Sequence, residues 1–297
     1  MWVCSAKNSD SWPRSSTSRA IAPGLTASCV GKYPTPNSIG PVYSGGYDRP
    51  RVSPIRLTFI GCGDAFSSGG RLHTCFYLEG GDEPMLVDCG ATSLAGLKRE
   101  RIDPASIGSV AVSHLHGDHF GGLAWIVIEG RLAKRDKPLV IGGPPTTSER
   151  LRRASEALYA GSGDADTPFE VRHVEFSEGT RCELGPSAVT PFEVIHSSGA
   201  PSYALRVEYG GKVVAYSGDT EWTDNLISAA RGADLFICEC NFYDQRAPGH
   251  LNYQTVAEKC NQFGCERLVL THMGDDVLAR LGDLEIEAAA DGLTIDV

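Results

Sequence analysis

No stretch of the sequence approaches the roughly 18 apolar residues that a membrane-spanning helix needs, so no membrane partner is expected. There is no Cys-x-x-Cys pair, and no Gly-rich segment has the spacing of a phosphate-binding loop. The ten cysteines therefore supply neither a thiolate metal knuckle nor a redox pair. Cys62, Cys75, Cys89, Cys238, Cys240 and Cys265 lie in or beside apolar, strand-like runs. Free cysteine packs as a small hydrophobe, so reduced, buried thiols in a cytoplasmic protein are the expectation. Basic residues are also in deficit, 27 Lys and Arg against 37 Asp and Glu, for a net charge of -10. That balance disfavours broad electrostatic attachment to nucleic acid or to an anionic membrane.

The deficit is uneven. Residues 1–50 carry five basic and two acidic side chains, are rich in Ser, Pro and Gly, and show no apolar period. They read as a disordered or loosely ordered extension outside the fold. Their Arg/Ser-rich composition weakly suggests a transit peptide, and Thr26-Ala27-Ser28-Cys29 a lipoprotein cleavage site; an upstream extension of the reading frame fits equally. Residues 51–297 carry -13 and form the expected single folded domain, long enough to bury a substantial core.

From Ile55 onward, short apolar runs alternate with helical patterns. Strands are predicted over Ile55–Ile60, Thr74–Leu78, Met85–Val87, Val110–Val112, Leu139–Ile141, Phe169–Phe176, Ala188–Ile195, Tyr203–Tyr209, Val213–Tyr216, Leu235–Glu239 and Leu268–Leu270. Helices are predicted over Ser93–Arg101, Gly121–Glu129, Thr147–Ala160, Trp222–Ala230 and Tyr253–Phe263, the last capped by Asn252. Such alternation implies a layered α/β architecture.

Half of the chemistry sits in one stretch, Ser-His-Leu-His-Gly-Asp-His-Phe-Gly-Gly from Ser113 to Gly122. His114, His116, Asp118 and His119 are ligand types that suit a borderline metal such as zinc. Three more apolar strands run into candidate ligands, His196 after Val194-Ile195, Asp219 after Ser217-Gly218, and His272 after Leu270-Thr271. A lone His or Asp at a strand end is usually an ordinary loop residue; four strands ending alike are not. His73 and His173, in strand-like runs, read as packing or surface residues. The loop Ser67-Ser68-Gly69-Gly70 with Arg71 reads equally as a substrate contact or a plain turn.

The order of these residues resembles the metallo-β-lactamase superfamily from Ile55 to about Met273, and within it the ribonuclease Z and phosphodiesterase-like branch. Gly61-Cys62-Gly63-Asp64-Ala65, Gly218-Asp219-Thr220, Glu239-Cys240-Asn241-Phe242, His250 and Leu270-Thr271-His272 follow in that branch's order. The resemblance implies a four-layer αββα sandwich and two divalent metal ions, zinc first and manganese as the alternative. His114, His116 and His196 would hold one ion, Asp118, His119 and His272 the other, and Asp219 would bridge them. Asp88 would organise the histidine loop through hydrogen bonds. Asp118, His250 and Glu239 are the expected catalytic residues, His250 protonating the leaving oxygen or steadying the phosphoryl group and Glu239 orienting it.

The activity so implied is hydrolysis of a phosphodiester or similar small ester through a metal-bridging hydroxide. The alternatives are a tRNA 3′-processing endonuclease, a lactonase or an arylsulfatase on the same scaffold, and, from another class, a metal-binding protein without turnover. His116 disfavours an oxygen- or nitric-oxide-reducing di-iron centre, where a Glu is usual. The long tRNA-gripping arm of some ribonuclease Z enzymes has no room in the 23 positions from His196 to Asp219. With the acidic body, that places a small-molecule ester ahead of nucleic acid. Where the branch usually has a small hydroxyl residue after its histidine, this chain has Leu251. A homodimer is expected from the family alone.

Overall fold

The computed structural model describes residues 54–297; the expectations for residues 1–50 lie outside the described residues. Two seven-stranded mixed sheets make up the fold, in the orders β14-β1-β2-β3-β4-β5-β6 and β13-β12-β11-β10-β9-β8-β7. In the first, β1 (Arg56–Gly61), β2 (Cys75–Glu79) and β3 (Met85–Val87) are antiparallel neighbours. β4 (Ser109–Ala111), β5 (Leu139–Gly143) and β6 (Val171–Glu175) continue in parallel. The second half repeats the scheme. β7 (Cys182–Leu184), β8 (Ser187–Val194), β9 (Ser202–Tyr209) and β10 (Lys212–Tyr216) are antiparallel. β11 (Leu235–Glu239), β12 (Leu268–Thr271) and β13 (Glu287–Ala288) add in parallel. The last strand, β14 (Thr294–Asp296), returns to pair with β1.

Side-chain alternation produces the layers. Phe76 and Leu78 of β2 meet Val207, Val214, Tyr216 and Ile237 in the core between the sheets. Their neighbours Cys75 and Tyr77 face the other way, into a core shared with Leu97, Leu123 and Leu151. Those come from α1 (Ser93–Arg99), α3 (Leu123–Leu132) and α4 (Thr147–Leu158); between them lies the short α2 (Gly117–Phe120). In the second sheet Tyr216 and Ile237 point to the central core. Ala215, Phe236 and Cys238 pack instead on α5 (Asn225–Ala230) and α6 (Tyr253–Lys259). A strand covered on both faces has to be apolar at every position, which is why these runs lack a period of two. Each fully buried large apolar side chain contributes about 1.5–3 kcal/mol. The expected αββα sandwich is the observed one.

Thr255 N–H donates to Asn252 Oδ1 at 2.8 Å, the cap expected for α6. The helix after the histidine motif differs from expectation. It begins at Leu123, and Asp118 and His119 themselves sit in α2, because His119 and Phe120 N–H groups close back onto the His116 carbonyl. All eight cysteines among the described residues are free. Burial raises the thiols of Cys62 and Cys75 to about 12, which makes them packing groups and not nucleophiles. No helix among the described residues is long and apolar enough to cross a membrane.

Candidate metal centre

The strand directions bring the chemistry to one edge. β1, β3, β4, β8, β10, β11 and β12 all point their C-terminal ends there, and the chain leaves them at Cys62, Asp88, His114, His196, Asp219, Glu239 and His272. Asp88, Asp219 and all the candidate histidines except His116, His196 and His250 are almost wholly buried.

Asp88 organises the loop, as expected. It is fully buried and holds φ 56°, an unusual left-handed conformation that Asp tolerates better than most residues. Its Oδ1 accepts the Ser113 N–H (2.7 Å), and its Oδ2 accepts the Ser113 hydroxyl (2.8 Å) and His119 Nδ1–H (2.7 Å). Because the Ser113 hydroxyl proton is given to Asp88, Ser113 Oγ can accept from His114 Nδ1 at 3.0 Å. Both imidazoles are thereby fixed with Nε2 as a lone pair. Gly90 allows this close approach; a Cβ there would stand 2.1 Å from the Asp118 carbonyl oxygen.

The ligand-type atoms converge on one another. His114 Nε2 is buried with no partner among the described residues, and so is Asp219 Oδ1. His119 Nε2 faces His272 Nε2 at 3.4 Å, Asp118 Oδ2 at 3.1 Å and Asp219 Oδ2 at 3.3 Å. His196 donates Nδ1–H to the Gly249 carbonyl (2.8 Å), which turns its Nε2 onto His116 Nδ1 at 2.9 Å. Such an array of acceptors in a dry site is costly unless cations sit among them. Four overlapping groups result among the described residues, each with its ligand atoms within 4.8 Å of one another: His114, His116 and His196; Asp118, His119, Asp219 and His272; His196, Asp219 and His250; and Glu239, His250 and His272. Asp219 Oδ2 reaches toward the first two, 3.7 and 3.9 Å from His114 and His196 Nε2, and 3.3 and 3.4 Å from His119 and His272. The donor set fits two divalent cations with a carboxylate between them.

The electrostatics favour positive charge at the centre of the cluster. Against the effect of burial, Asp219 and Asp118 raise His119 and His272. Charge on those two imidazoles in turn outweighs burial and holds the Asp219 carboxyl well below the carboxylate range. Burial holds His114 well below the usual imidazole value, which keeps it neutral and ready to ligate. His250 lies outside the first two groups and shares the other two with His196, Asp219, Glu239 and His272. Burial would lower it, yet its Nδ1 is 3.1 Å from Glu239 Oε1, and that carboxylate raises it to about 9. Glu239, fully buried at the end of β11, accepts Thr220 N–H on Oε1 (2.7 Å) and Asn241 N–H on Oε2 (3.3 Å). His250 Nδ1 is 4.0 Å from Asp219 Oδ2.

Every candidate ligand and both members of the His250–Glu239 pair are therefore at this edge. The supporting residues were not legible. Ser113 fixes two imidazoles through Asp88, Asn241 donates to the His272 carbonyl (3.3 Å), and Arg150 donates to the Leu115 carbonyl between His114 and His116 (3.4 Å). Gly249 takes φ +80°, and a Cβ there would lie 2.9 Å from His196 Nδ1. His73 is half-buried and packs against Gly90, its Cβ standing 2.5 Å from the place a Gly90 Cβ would occupy. His173 is exposed on β6, as expected. Arg71 donates to the Ala289 carbonyl at 2.6 Å, so it anchors the C-terminal segment.

A family model described as Anti-Pycsar protein Apyc1 matches residues 55–286. The chain belongs to this family. The uncharacterized protein ML1173 of Mycobacterium leprae is 31% identical to it over 268 residues, spanning 85% of this chain and 92% of that one. The probable metallo-hydrolase YhfI of Bacillus subtilis is 26% identical over 230 residues, 74% of this chain and 87% of its own. The crystal structure of YhfI, described as a metallo-β-lactamase fold protein, superposes with a TM-score of 0.68 over 82% of this chain and 99% of that one. The ribonuclease Z of Methanosarcina acetivorans is 28% identical over 285 residues, 77% of this chain and 92% of its own. The Apyc1-family chain is thus a metallo-β-lactamase fold hydrolase similar to ribonuclease Z, with a His/Asp cluster able to bind metal.

Asp88→Asn tests the support of the cluster. It keeps the volume and tolerates the positive φ, but its one carbonyl oxygen cannot replace both carboxylate oxygens, which together accept the Ser113 N–H, the Ser113 hydroxyl and His119 Nδ1–H. The expected result is a folded protein with metal affinity about 10–100-fold weaker, measured by competition with a chelating dye.

Proposed function

We propose that the protein is a dinuclear metal-dependent phosphodiesterase acting on a small phosphodiester. The observation that carries this reading is the His250–Glu239 pair standing beside the two expected ligand sets, 3.1 Å apart, with His250 Nδ1 4.0 Å from Asp219. His114, His116 and His196 would hold one cation, Asp118, His119 and His272 the other, with Asp219 between. Bound there, zinc or manganese would supply Lewis acidity and an activated water.

The chain's own residues do the rest. Glu239 holds His250 through Nδ1, which leaves Nε2 as the proton-donating face. An alkoxide is a poor leaving group and needs that proton as its bond to phosphorus breaks. Asp118, through His119 and His272, keeps the second group compact. The similarity to a ribonuclease Z supports phosphodiester chemistry, since a ribonuclease cleaves that bond. The 23 positions from His196 to Asp219 hold only β9, β10 and their tight turn, which favours a small substrate over tRNA.

The test is a panel run on protein of measured metal content: bis-p-nitrophenyl phosphate, an aryl sulfate, a lactone and a tRNA precursor. Turnover of the phosphodiester, abolished by a chelator and restored by zinc or manganese, is expected. Turnover of the lactone alone, or of the sulfate alone, would replace the reading, and cleavage of the tRNA precursor alone would restore the nuclease alternative.

A further inference from the structure

Beside the candidate metal centre lies a cavity of about 650 Å³ whose walls include His196 and Gly249. It runs outward between the end of β8, the Ser197–Pro201 loop and the Pro248–Gly249 turn. That volume suits a small organic group. Its lining carries two carboxylates, Glu193 and Glu221, the hydroxyl residues Ser197 and Ser198, and no Lys or Arg.

Glu221 occupies a special place in it. The residue also lines the smaller cavity of about 270 Å³ on the other side of the turn, whose walls include the half-buried His250. Its Oε1 accepts Gly249 N–H at 3.0 Å, while the Gly249 carbonyl accepts His196 Nδ1–H. The carboxylate is thus tied to the turn that presents both His196 and His250. Its other oxygen, Oε2, has no hydrogen-bond partner among the described residues. The smaller cavity is also lined by Arg246 and Lys259, but the larger one has no Lys or Arg in its lining, and there an acceptor repels a second phosphate and rewards a hydrogen-bond donor.

We propose that Glu221 is a specificity-determining residue: it selects phosphodiesters whose non-reacting half carries a hydrogen-bond donor, a hydroxyl or an ammonium, placed in the cavity beside His196. The inference rests on the phosphodiester reading above. It assigns the donor-bearing half of the substrate to this cavity and the phosphoryl group to the ligand cluster.

Three p-nitrophenyl phosphodiesters test it, those of cyclohexylmethanol, trans-4-hydroxycyclohexylmethanol and trans-4-aminocyclohexylmethanol. They differ only in a donor too remote to attack phosphorus, and the hydroxyl and amine arms tell the two donors apart. The wild-type protein is expected to favour at least one donor-bearing ester in kcat/KM by about tenfold or more. In Glu221→Gln the side-chain carbonyl still accepts from Gly249, so the turn is kept, but the amide now offers a donor where Oε2 accepted. That variant should lose about tenfold more kcat/KM on the favoured ester than on the cyclohexylmethyl ester. Glu221→Ala, which also frees the Gly249 N–H, should lose activity on all three. Equal kcat/KM on all three esters in the wild type, or an equal loss on all three in Glu221→Gln, overturns the inference while the phosphodiester reading stands. No turnover of any ester by metal-loaded wild type removes that reading and the inference with it.

Discussion

The Asp219→Ala variant is expected to purify folded, with fewer than two equivalents of metal, and with turnover reduced by about a thousandfold or more. The reason is the place of this one carboxylate. Its Oδ2 lies within 4.0 Å of five imidazole nitrogens: one from His250 and four from His114, His119, His196 and His272, which between them belong to both expected ligand sets. Two dications brought close together in a buried site repel strongly, and the shared anion offsets that repulsion. Removing it leaves five neutral imidazoles and the Asp118 carboxylate to hold four positive charges. The second cation is then the first to be lost, and with it the paired geometry that activates water. Asp219→Asn is the control for shape, because it keeps the volume and removes the charge. It should resemble the alanine variant in metal content, read by elemental analysis, and the wild type in circular dichroism. Full turnover in Asp219→Ala with two ions bound would sink the dinuclear reading.

His250→Ala should separate substrates by their leaving groups. p-Nitrophenolate departs without a proton, so hydrolysis of bis-p-nitrophenyl phosphate is expected to fall by less than about tenfold. An alkyl phosphodiester expels an alkoxide, and its hydrolysis should fall by about 10²–10⁴, the usual scale for losing a general acid. The geometry supports this split because the His250 nitrogen near the cluster is already engaged by Glu239. The metal content should stay at the wild-type value, which distinguishes proton donation from ligation. A uniform loss on both substrates, or a loss of metal, would assign His250 to the coordination sphere and not to the leaving group.

Much of this site was legible because its chemistry needs particular residue types at particular points of the chain. His114, His116, Asp118 and His119 are local to one loop, and His196, Asp219 and His272 each follow an apolar run. What escaped was whatever depends on a partner distant in sequence. Ser113 looks like any loop serine until Asp88, 25 positions earlier, takes its hydroxyl proton. Glu221 and Gly249 are joined only by the fold, 28 positions apart. The strands β7, β13 and β14 were missed for a related reason. Each has two or three residues and little apolar content of its own, so pairing with a neighbour makes it a strand: β14 buries Ile295 alone and exists because Arg56, Leu57 and Thr58 hold it.

The central sandwich has one further mechanical meaning. The first sheet supplies His114, His116, Asp118 and His119, and the second supplies His196, Asp219 and His272. The main chain passes from one sheet to the other through the exposed Ser177–Arg181 segment, and β14 crosses back. A cation seated in the cluster is therefore gripped from both halves at once. Its affinity is at the same time the strength of a rivet between two leaves of the protein, and pulling the leaves apart and releasing the ion are one event.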